Sequence, residues 1–262
     1  MKKTINRLNL SLAWKFFPSA KLHLKTANGV KIPLRARGDF ASLEEIFIKQ
    51  AYALLLEAIP GPVLSWVDLG CNAGMFSAWL YDRAGGSLAK PDCRALMVEP
   101  GVCVETAREF VRINGLSGFQ VIQACIGNGR PTTFYESKSS TRSSSAIKPD
   151  SREKVHRIET VLISSLLSES NFHEADLLKV DIEGSEKYLL GATDIFHRFR
   201  AGIIEWHIET TSGRDIANWV EKNGGRMVKV VSQDGHTDDP LTSRLGMLAW
   251  VKGPADGSKT TS

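Results

Sequence analysis

The sequence predicts an α/β fold of the Rossmann type, with a mostly parallel sheet and helices on both of its faces. Short apolar runs rich in β-branched and aromatic residues alternate along the chain with stretches of helical periodicity. Glycines and carboxylates follow several of these runs, where each strand would lead into a helix. Because the carboxyl ends of parallel strands meet at one edge of such a sheet, we expect a ligand site at that edge.

Seven apolar runs are predicted to form the strands of this sheet. They span residues 63–69, 95–98, 119–126, 177–182, 202–208, 227–231 and 247–251. Helical stretches follow the first, second, fourth and fifth of these runs, which is typical of βαβ units and buried parallel strands. The polar stretch between the last two is too short for a helical crossover, so these strands are predicted to form an antiparallel hairpin.

The helices are predicted from apolar residues at helical spacing. Four of them, at residues 75–81, 102–113, 185–190 and 215–221, lie between strands. Upstream, residues 40–58 place their apolar side chains on one face, and Ile59-Pro60-Gly61-Pro62 ends that helix. We therefore expect an N-terminal extension at 1–38, one domain at 39–252 that begins with a lid helix at 39–60, and a disordered tail at 253–262.

Composition excludes several classes of protein. The 262 residues carry a net charge of only +4 without a dense basic run, which argues against nucleic acid as a partner. The apolar run at 8–14 is short and is interrupted by Asn and Ser, so we expect no membrane span and a cytoplasmic protein, with a homodimer possible. The four cysteines form no C-x-x-C pair, and we expect buried, reduced thiols.

The stretch WVDLGCNAGMF, residues 66–76, runs from the first strand through two glycines into a helix. A dinucleotide fingerprint needs G-x-G-x-x-G, but Asn72 stands where its second glycine would be and would crowd a pyrophosphate. S-adenosylmethionine has no phosphate and fits this turn better. We therefore expect Asp68, Gly70, Cys71, Asn72 and Gly74 to bind it, with Asp68 opposing its positive charge. The alternative is a structural turn in which Asn72 caps the helix.

Further cofactor contacts are predicted at the ends of the next two strands. Glu99, followed by Pro100, ends the run ALMVEP and could accept the ribose hydroxyls, although a solvated Glu at a strand end is the alternative. Ala124 and Cys125 are small residues that could contact adenine. The Ser-rich stretch 137–145 is a flexible connection or a loop that closes over the ligand.

Two residues outside the strands complete the predicted cofactor site. Ser145 ends the Ser-rich stretch, and Tyr52 lies on the predicted lid helix. Either would reach the ligand only if its segment lies over the sheet edge. Core packing alone explains the apolar face of the lid helix. On this helix only Tyr52 and the polar residues before it are therefore candidates for the site.

The segment DLLKVDIEGSE, residues 176–186, resembles the D-L-L-K-I-D-V-E-G-A-E signature of FkbM-type methyltransferases. With WVDLGCNAGMF, the ALMVEP strand end and residues 40–52, the resemblance covers roughly residues 39–210. It implies a class I methyltransferase sheet, S-adenosylmethionine as methyl donor, and O-methylation of a hydroxyl on a sugar, polyketide or other secondary metabolite. One departure is Cys71, which replaces the Ala or Ser that is frequent in the family.

Methyl transfer to a hydroxyl needs an aligned oxygen and a group that takes its proton. Asp181 and Glu183 follow the fourth strand, and their spacing sends both side chains to one side if the strand continues, with Lys179 one step deeper. The alternative is an ion pair that caps the next helix. His207 ends the fifth strand, and its ordinary pKa near 6.5 makes it the predicted base, a structural histidine being the alternative.

A divalent cation is possible but not predicted at these strand ends. Asp181, Glu183, Glu205 and His207 offer oxygen and imidazole ligands, yet they lack a tight ligand spacing. For the acceptor we expect a small molecule with a hydroxyl group. A methyltransferase of nucleic acid or protein and a non-catalytic binding protein are the competing hypotheses, and the Asn/Asp-Pro-Pro-aromatic run typical of base methylation is absent from the sequence.

Overall fold

The structure is a computed structural model that describes residues 22–136, 154–170, 172–233 and 238–253. It begins with an antiparallel hairpin that is followed by three helical segments. These elements are β1 (Leu22–Lys25), β2 (Lys31–Leu34), α1 (Arg37–Leu43), a π-helix (Glu44–Ile48) and α2 (Ala53–Glu57). The Ser-rich stretch 137–145 with Ser145, most of the expected C-terminal tail and residues 1–21 lie outside the described residues.

The remaining elements alternate between strands and helices, as the apolar pattern predicts. In chain order they are β3 (Ser65–Leu69), α3 (Met75–Arg83), α4 (Gly86–Ala89), β4 (Arg94–Val98), α5 (Val104–Asn114), β5 (Phe119–Ile122), β6 (Cys125–Ile126), β7 (Thr132–Glu136), β8 (Lys154–Ile158), β9 (Thr160–Val161), α6 (Ile163–Glu169), β10 (Ala175–Val180), α7 (Lys187–Leu190), β11 (Phe199–His207), α8 (Gly213–Lys222), β12 (Gly225–Ser232) and β13 (Leu245–Lys252), with 3-10 helices at Thr193–Arg198 and Pro240–Thr242.

Seven strands form the central sheet, in the order β12-β13-β11-β10-β3-β4-β5. Five neighbouring strands of this sheet are parallel, namely β11, β10, β3, β4 and β5. Strand β13 is antiparallel to both β11 and β12. The predicted seven-stranded Rossmann-like sheet with an antiparallel terminal hairpin is thus confirmed. The chain order reverses beside β3, which pairs with β4 on one side and β10 on the other. Such a switch point leaves a crevice at the carboxyl ends of the strands.

Both faces of the sheet are apolar, because successive side chains of a strand point to opposite sides. Trp66 on β3 packs with Phe76 of α3 on one face, whereas the next residue, Val67, packs in the cluster on the other face. The second cluster also contains Trp206 and Trp250, both fully buried. Burial on both faces fixes the sheet rigidly, so that the residues at its edge have defined positions.

The prediction of one continuous helix at 40–58 is wrong, because the structure divides this stretch into separate helical segments. The π-helix ends at Ile48, Gln50 has a left-handed backbone (φ 56°), and a new helix begins at Ala53. The break turns the buried Tyr52 inward and leaves Leu54 59% exposed, although one continuous apolar face would bury it. π-helical turns are rare and often lie at functional sites. The run 119–126 is likewise divided, because β6 leaves the sheet and pairs with β9.

The hairpin within the expected N-terminal extension packs against the domain. Ile32 and Leu34 are buried in its core, and Arg35 binds Glu109 on α5. None of the helices that the structure describes is long and apolar enough to cross a membrane. The four cysteines are free thiols, of which Cys103 alone is half-buried, in agreement with the prediction of reduced thiols.

Candidate active site

The glycine turn between β3 and α3 is shaped by close backbone approaches. Gly70 has φ +74°, and a Cβ there would lie 1.6 Å from the carbonyl oxygen of Asp181. Gly74 has φ +82°, begins α3, and would place a Cβ 2.8 Å from Cε of Met97. Only glycine fits a left-handed position with a neighbour this close. Gly70 is therefore required where the turn crosses the chain after β10, and Gly74 where it packs on β4 and α5.

Glu99 at the end of β4 organises the same turn. Its Oε2 accepts the backbone N–H of Asn72 (3.0 Å), and its Oε1 accepts that of Gly101 (2.8 Å). Burial raises the pKa of Glu99, and these two hydrogen bonds oppose that shift. Asn72 has a left-handed backbone (φ 51°) and does not cap α3, because the N-cap residue of α3 is Gly74. The alternative of an Asn cap is therefore wrong.

Asp68 has a different position from the one predicted. Its side chain is fully buried, accepts a hydrogen bond from Oγ of Ser77 (2.8 Å), and lies 3.3 Å from Nζ of Lys179. Asp68 lines neither of the two cavities described below. Gly74, the other predicted cofactor-binding residue of this turn that stays outside them, also lines neither. Asp68 therefore has Lys179 as its cationic partner in this structure, and its predicted contact with the positive charge of the cofactor stays a prediction.

Two adjoining cavities open at the carboxyl edge of the sheet. The first, the Glu99 cavity, is lined by Gly70, Asn72, Val98, Glu99, Pro100, Ala124, Cys125, Ile126, Phe134, Asp181, Ile182, Glu183 and Ser185. The second, the His207 cavity, has a volume of about 340 Å³ and is lined by Ser42, Glu45, Ile46, Tyr52, Gly70, Cys71, Asn72, Met75, Phe76, Lys179, Asp181, Glu183, Glu205, His207, Gln233 and Leu245. They share Gly70, Asn72, Asp181 and Glu183, which form the boundary between them.

Lys179 joins the glycine turn to the turn after β10. Its Nζ donates to the carbonyl oxygen of Gly70 (2.8 Å) and lies 3.4 Å from Oδ2 of Asp181. Burial alone would lower the pKa of Lys179, but the charges of Asp181 and Asp68 outweigh burial and raise it. Lys179 is therefore a buried cation, which confirms the expected pairing with a carboxylate.

His207 lies between two carboxylates. Its Nδ1 is 3.2 Å from Oε1 of Glu186, and its Nε2 is 3.4 Å from Oε2 of Glu183. Burial would lower the pKa of His207, but the hydrogen bond with Glu186 and the nearby negative charges raise it to about 10. A histidine that is already protonated at neutral pH accepts no further proton. The ordinary pKa on which the prediction of His207 as the base rested does not apply in this environment, and its role as the base stays a prediction.

Glu183 faces both cavities from a tight turn rather than from a strand. Because β10 ends at Val180 and Glu183 has a left-handed backbone (φ 51°), the alternation argument for its direction does not hold. Burial and the charge of Asp181 raise the pKa of Glu183 to about 8, although His207 opposes that shift. Asp181 and Glu183 nevertheless reach the same place, the boundary between the cavities.

Glu205 and Tyr52 meet in the His207 cavity. The hydroxyl of Tyr52 lies 3.4 Å from Oε2 of Glu205, and Nε2 of Gln233 lies 3.2 Å from Oε1. Burial, followed by the charge of Asp181, raises the pKa of Glu205 well above its ordinary value. Tyr52 lines this cavity and not the Glu99 cavity, and its predicted contact with the cofactor stays a prediction.

The sequence analysis missed Phe134, which lines the Glu99 cavity, and the role of Glu186 beside His207. Phe134 lies on β7, outside the central sheet, and no local pattern links that strand to the Glu99 cavity. Glu45 is one of the polar residues before Tyr52 that the sequence offers as site candidates, and it lines the His207 cavity from the π-helix. Glu186, by contrast, is part of the quoted signature, and its fully buried carboxylate could have been recognised as a partner for a nearby cation.

Comparison with known proteins gives one family and only remote structural similarity. No curated protein matches the chain. A SAM dependent methyltransferase from Aquifex aeolicus is 14% identical, over 80% of this chain and 92% of that one, with a TM-score of 0.42. A protein described as a class I S-adenosylmethionine-dependent methyltransferase from Listeria monocytogenes is 11% identical, over 98% and 70% of the two chains, with a TM-score of 0.45.

The family profile described as the methyltransferase FkbM domain matches residues 75–227, more than half of the chain. The match begins at the first residue of α3 and includes β4, the turn after β10, and β11. It therefore contains Glu99, Asp181, Glu183 and His207. The protein belongs to the FkbM family and is an S-adenosylmethionine-dependent methyltransferase.

Proposed function

We propose that this enzyme transfers the methyl group of S-adenosylmethionine to a hydroxyl group of a small molecule, such as a sugar, a polyketide or another secondary metabolite. One observation carries the proposal: the Glu99 cavity and the His207 cavity meet at Gly70, Asn72, Asp181 and Glu183. A donor in one cavity and an acceptor in the other would face each other across that boundary, which in-line displacement requires.

The Glu99 cavity suits the adenosine part of the donor. Glu99 offers carboxylate oxygens to the ribose hydroxyls, while its hydrogen bonds to Asn72 and Gly101 keep both oxygens in place. Ala124 and Phe134 offer apolar surface to the adenine ring. The sulfonium then lies near the boundary, where the carboxylates of Asp181 and Glu183 compensate its positive charge.

Glu183 is the proposed proton acceptor, because it lines both cavities and its pKa, raised to about 8, makes its ionised form a strong base that is populated increasingly as the pH rises through that value. As the acceptor oxygen bonds to the methyl carbon, the carbon–sulfur bond breaks and its electron pair stays on sulfur. S-adenosylhomocysteine leaves as a neutral sulfide, and the hydroxyl proton passes to Glu183. His207, 3.4 Å from Glu183, holds that carboxylate in position rather than taking the proton.

Size and charge favour a small acceptor over a nucleic acid. A cavity of about 340 Å³ holds a group the size of a sugar ring. Its lining carries the carboxylates of Glu45, Asp181, Glu183 and Glu205, which repel phosphate groups. A nucleic-acid methyltransferase needs a basic surface beside its site instead.

Transfer assays with methyl-labelled S-adenosylmethionine test the proposal. We expect label in one class of hydroxylated small molecules from a panel of sugars, glycosides and polyketides, and none in RNA or protein substrates. Label recovered only in RNA or protein would overturn the choice of acceptor. Failure of the purified chain to bind S-adenosylmethionine and S-adenosylhomocysteine in titration calorimetry would overturn the donor site.

The role of Glu183 is tested with a variant of nearly equal size. Glu183→Gln should lower kcat by about 100-fold or more, the usual contribution of a general base, with unchanged affinity for S-adenosylhomocysteine. Glu105→Gln, on the exposed side of α5, removes the same charge from a side chain that lines neither cavity and should leave kcat unchanged. Wild-type turnover by Glu183→Gln would show that another group takes the proton.

A further inference from the structure

We infer that Asp181, Glu205 and His207 form a site for a divalent metal ion, Mg²⁺ or Mn²⁺, which binds the acceptor hydroxyl in the His207 cavity. The use of the metal in catalysis rests on the proposed O-methyl transfer, whereas the metal site itself does not. The sequence offers these ligand types without a tight spacing, and the fold brings them together from the ends of two adjacent strands, β10 and β11.

The three side chains converge at distances suited to one ion. One carboxylate oxygen of Asp181, one of Glu205 and one ring nitrogen of His207 all lie within 4.8 Å of one another. Ligand atoms bound at roughly 2.1 Å to a common octahedral ion lie about 3 to 4 Å apart. Side-chain shifts of about 1 Å would therefore bring all three atoms within bonding distance of one ion.

His207 is oriented as a metal ligand would be. Glu186 binds Nδ1 from a fully buried position, where its Oε1 also accepts the backbone N–H of Gly184 (3.1 Å). A carboxylate on one ring nitrogen fixes the tautomer and directs the lone pair of the other nitrogen outwards. Nε2 lies on the cavity side, 3.4 Å from Oε2 of Glu183, and a bound metal ion would displace the proton that His207 carries there.

The two carboxylate ligands have outer partners as well. Glu205 is contacted by the hydroxyl of Tyr52 and the amide of Gln233, and Asp181 by the ammonium of Lys179. Such partners orient ligating carboxylates in metal sites. Each of the three proposed ligands is thus oriented by a hydrogen-bonding or ion-pair partner that is not one of the proposed metal ligands.

The ligand set selects the kind of ion. Two carboxylates and one imidazole form an oxygen-rich set that suits Mg²⁺ or Mn²⁺, with further positions for water and the acceptor oxygen. A bound metal lowers the pKa of a coordinated hydroxyl and orients it. Glu183, 3.4 Å from His207, lies close enough to receive the proton that such a hydroxyl releases.

Mn²⁺ binding to the full chain, followed by electron paramagnetic resonance, tests the site. We expect one bound Mn²⁺ per chain, displaced by Mg²⁺, with nitrogen coupling from a directly bound imidazole in the pulsed spectrum. Glu205→Gln should weaken Mn²⁺ binding by about tenfold or more, and Glu186→Gln by about tenfold through the orientation of His207. Glu105→Gln is the matched control and should bind Mn²⁺ like the wild type.

The nitrogen coupling decides the result even if a variant does not fold. Coupling in the wild type that disappears in folded His207→Gln supports the site. No Mn²⁺ binding up to about 1 mM, or bound Mn²⁺ without nitrogen coupling, overturns it. If S-adenosylhomocysteine still binds in that case, the proposed function stands without the metal. A chain that binds Mn²⁺ at His207 and does not bind S-adenosylmethionine keeps the metal site and overturns the proposed function.

Discussion

The Glu99 cavity and the His207 cavity share a boundary but are built in different ways. In the Glu99 cavity, Glu99 uses both oxygens to bind backbone N–H groups, and most other lining residues are apolar or small. In the His207 cavity, carboxylates from the π-helix, β10 and β11 converge on Lys179 and His207. The first cavity therefore depends on backbone shape, and the second depends on the compensation of buried charge.

This difference tells which substitutions each cavity tolerates. A backbone-built cavity fails when a residue cannot adopt the required φ angle or collides with a neighbouring chain segment. A charge-built cavity fails when one partner is removed and leaves the others buried without compensation. Four substitutions test this distinction, in order of decreasing expected effect.

Gly70→Ala should have the largest effect, a loss of about 4 kcal/mol or more in the free energy of unfolding, because strain and collision add. The new Cβ would lie 1.6 Å from the carbonyl oxygen of Asp181 at φ +74°. Gly224→Ala has nearly the same φ (+78°) with no atom within 4 Å of the new Cβ, and should lose only about 1 to 2 kcal/mol. Chemical denaturation measures both, and equal losses would refute the collision.

Lys179→Met should follow, with a loss of about 3 kcal/mol in the free energy of unfolding, because Asp68 and Asp181 would keep buried charges without their partner. Lys222→Met, on the exposed last turn of α8, should change stability by less than about 0.5 kcal/mol. The same denaturation series compares them. An unaltered midpoint for Lys179→Met would mean that the His207 cavity does not depend on this cation.

Glu99→Gln should reduce the affinity for S-adenosylhomocysteine about tenfold, since the amide keeps the size of the side chain but loses charge-assisted hydrogen bonds. Titration calorimetry measures the change, and Glu105→Gln again provides the control. If the affinity of Glu99→Gln equals that of the wild type, the ribose does not depend on Glu99. Because the amide NH2 would face the N–H of Asn72 or Gly101, Glu99→Gln should also lose about 1 to 3 kcal/mol in the free energy of unfolding, which chemical denaturation measures separately from binding.

Tyr52→Phe should have the smallest effect, a change of less than about 1 kcal/mol in the free energy of unfolding. The substitution removes a long hydrogen bond of 3.4 Å to Glu205 and keeps the ring, whose centroid lies 4.9 Å from that of Phe76. Thermal unfolding with Tyr52→Ala as the second variant separates hydroxyl from ring. A loss in Tyr52→Phe as large as that in Tyr52→Ala would assign the stabilisation to the hydroxyl.

The sheet could be predicted from the sequence because its strands bury both faces and its helices lie between them. WVDLGCNAGMF and DLLKVDIEGSE also indicated the correct two turns, since glycines and carboxylates at strand ends are local signals. The break at Gln50, after which Tyr52 lies beside Glu205, a residue distant in sequence, was missed. Helical periodicity over 40–58 carries no information about that contact.

The roles of single side chains were harder to predict than their location. Asp68 precedes the glycine turn and was expected to face the ligand, but Lys179, more than a hundred residues later, binds it in the core. His207 was expected to have its ordinary pKa, but Glu186 and Glu183 surround it. Both differences in environment have one physical cause: the charge state of a side chain depends on partners that only the folded chain brings together.

The crossing of Gly70 over the carbonyl of Asp181 has a consequence for how this enzyme can be re-engineered. The spacing between the two cavities is set by main chain, so changes of side chain around the His207 cavity leave it intact. Glu45 and Tyr52 lie on segments that precede the sheet and reach only that cavity. Libraries confined to residues 42–52 would therefore vary which molecule is held while the transfer distance stays constant.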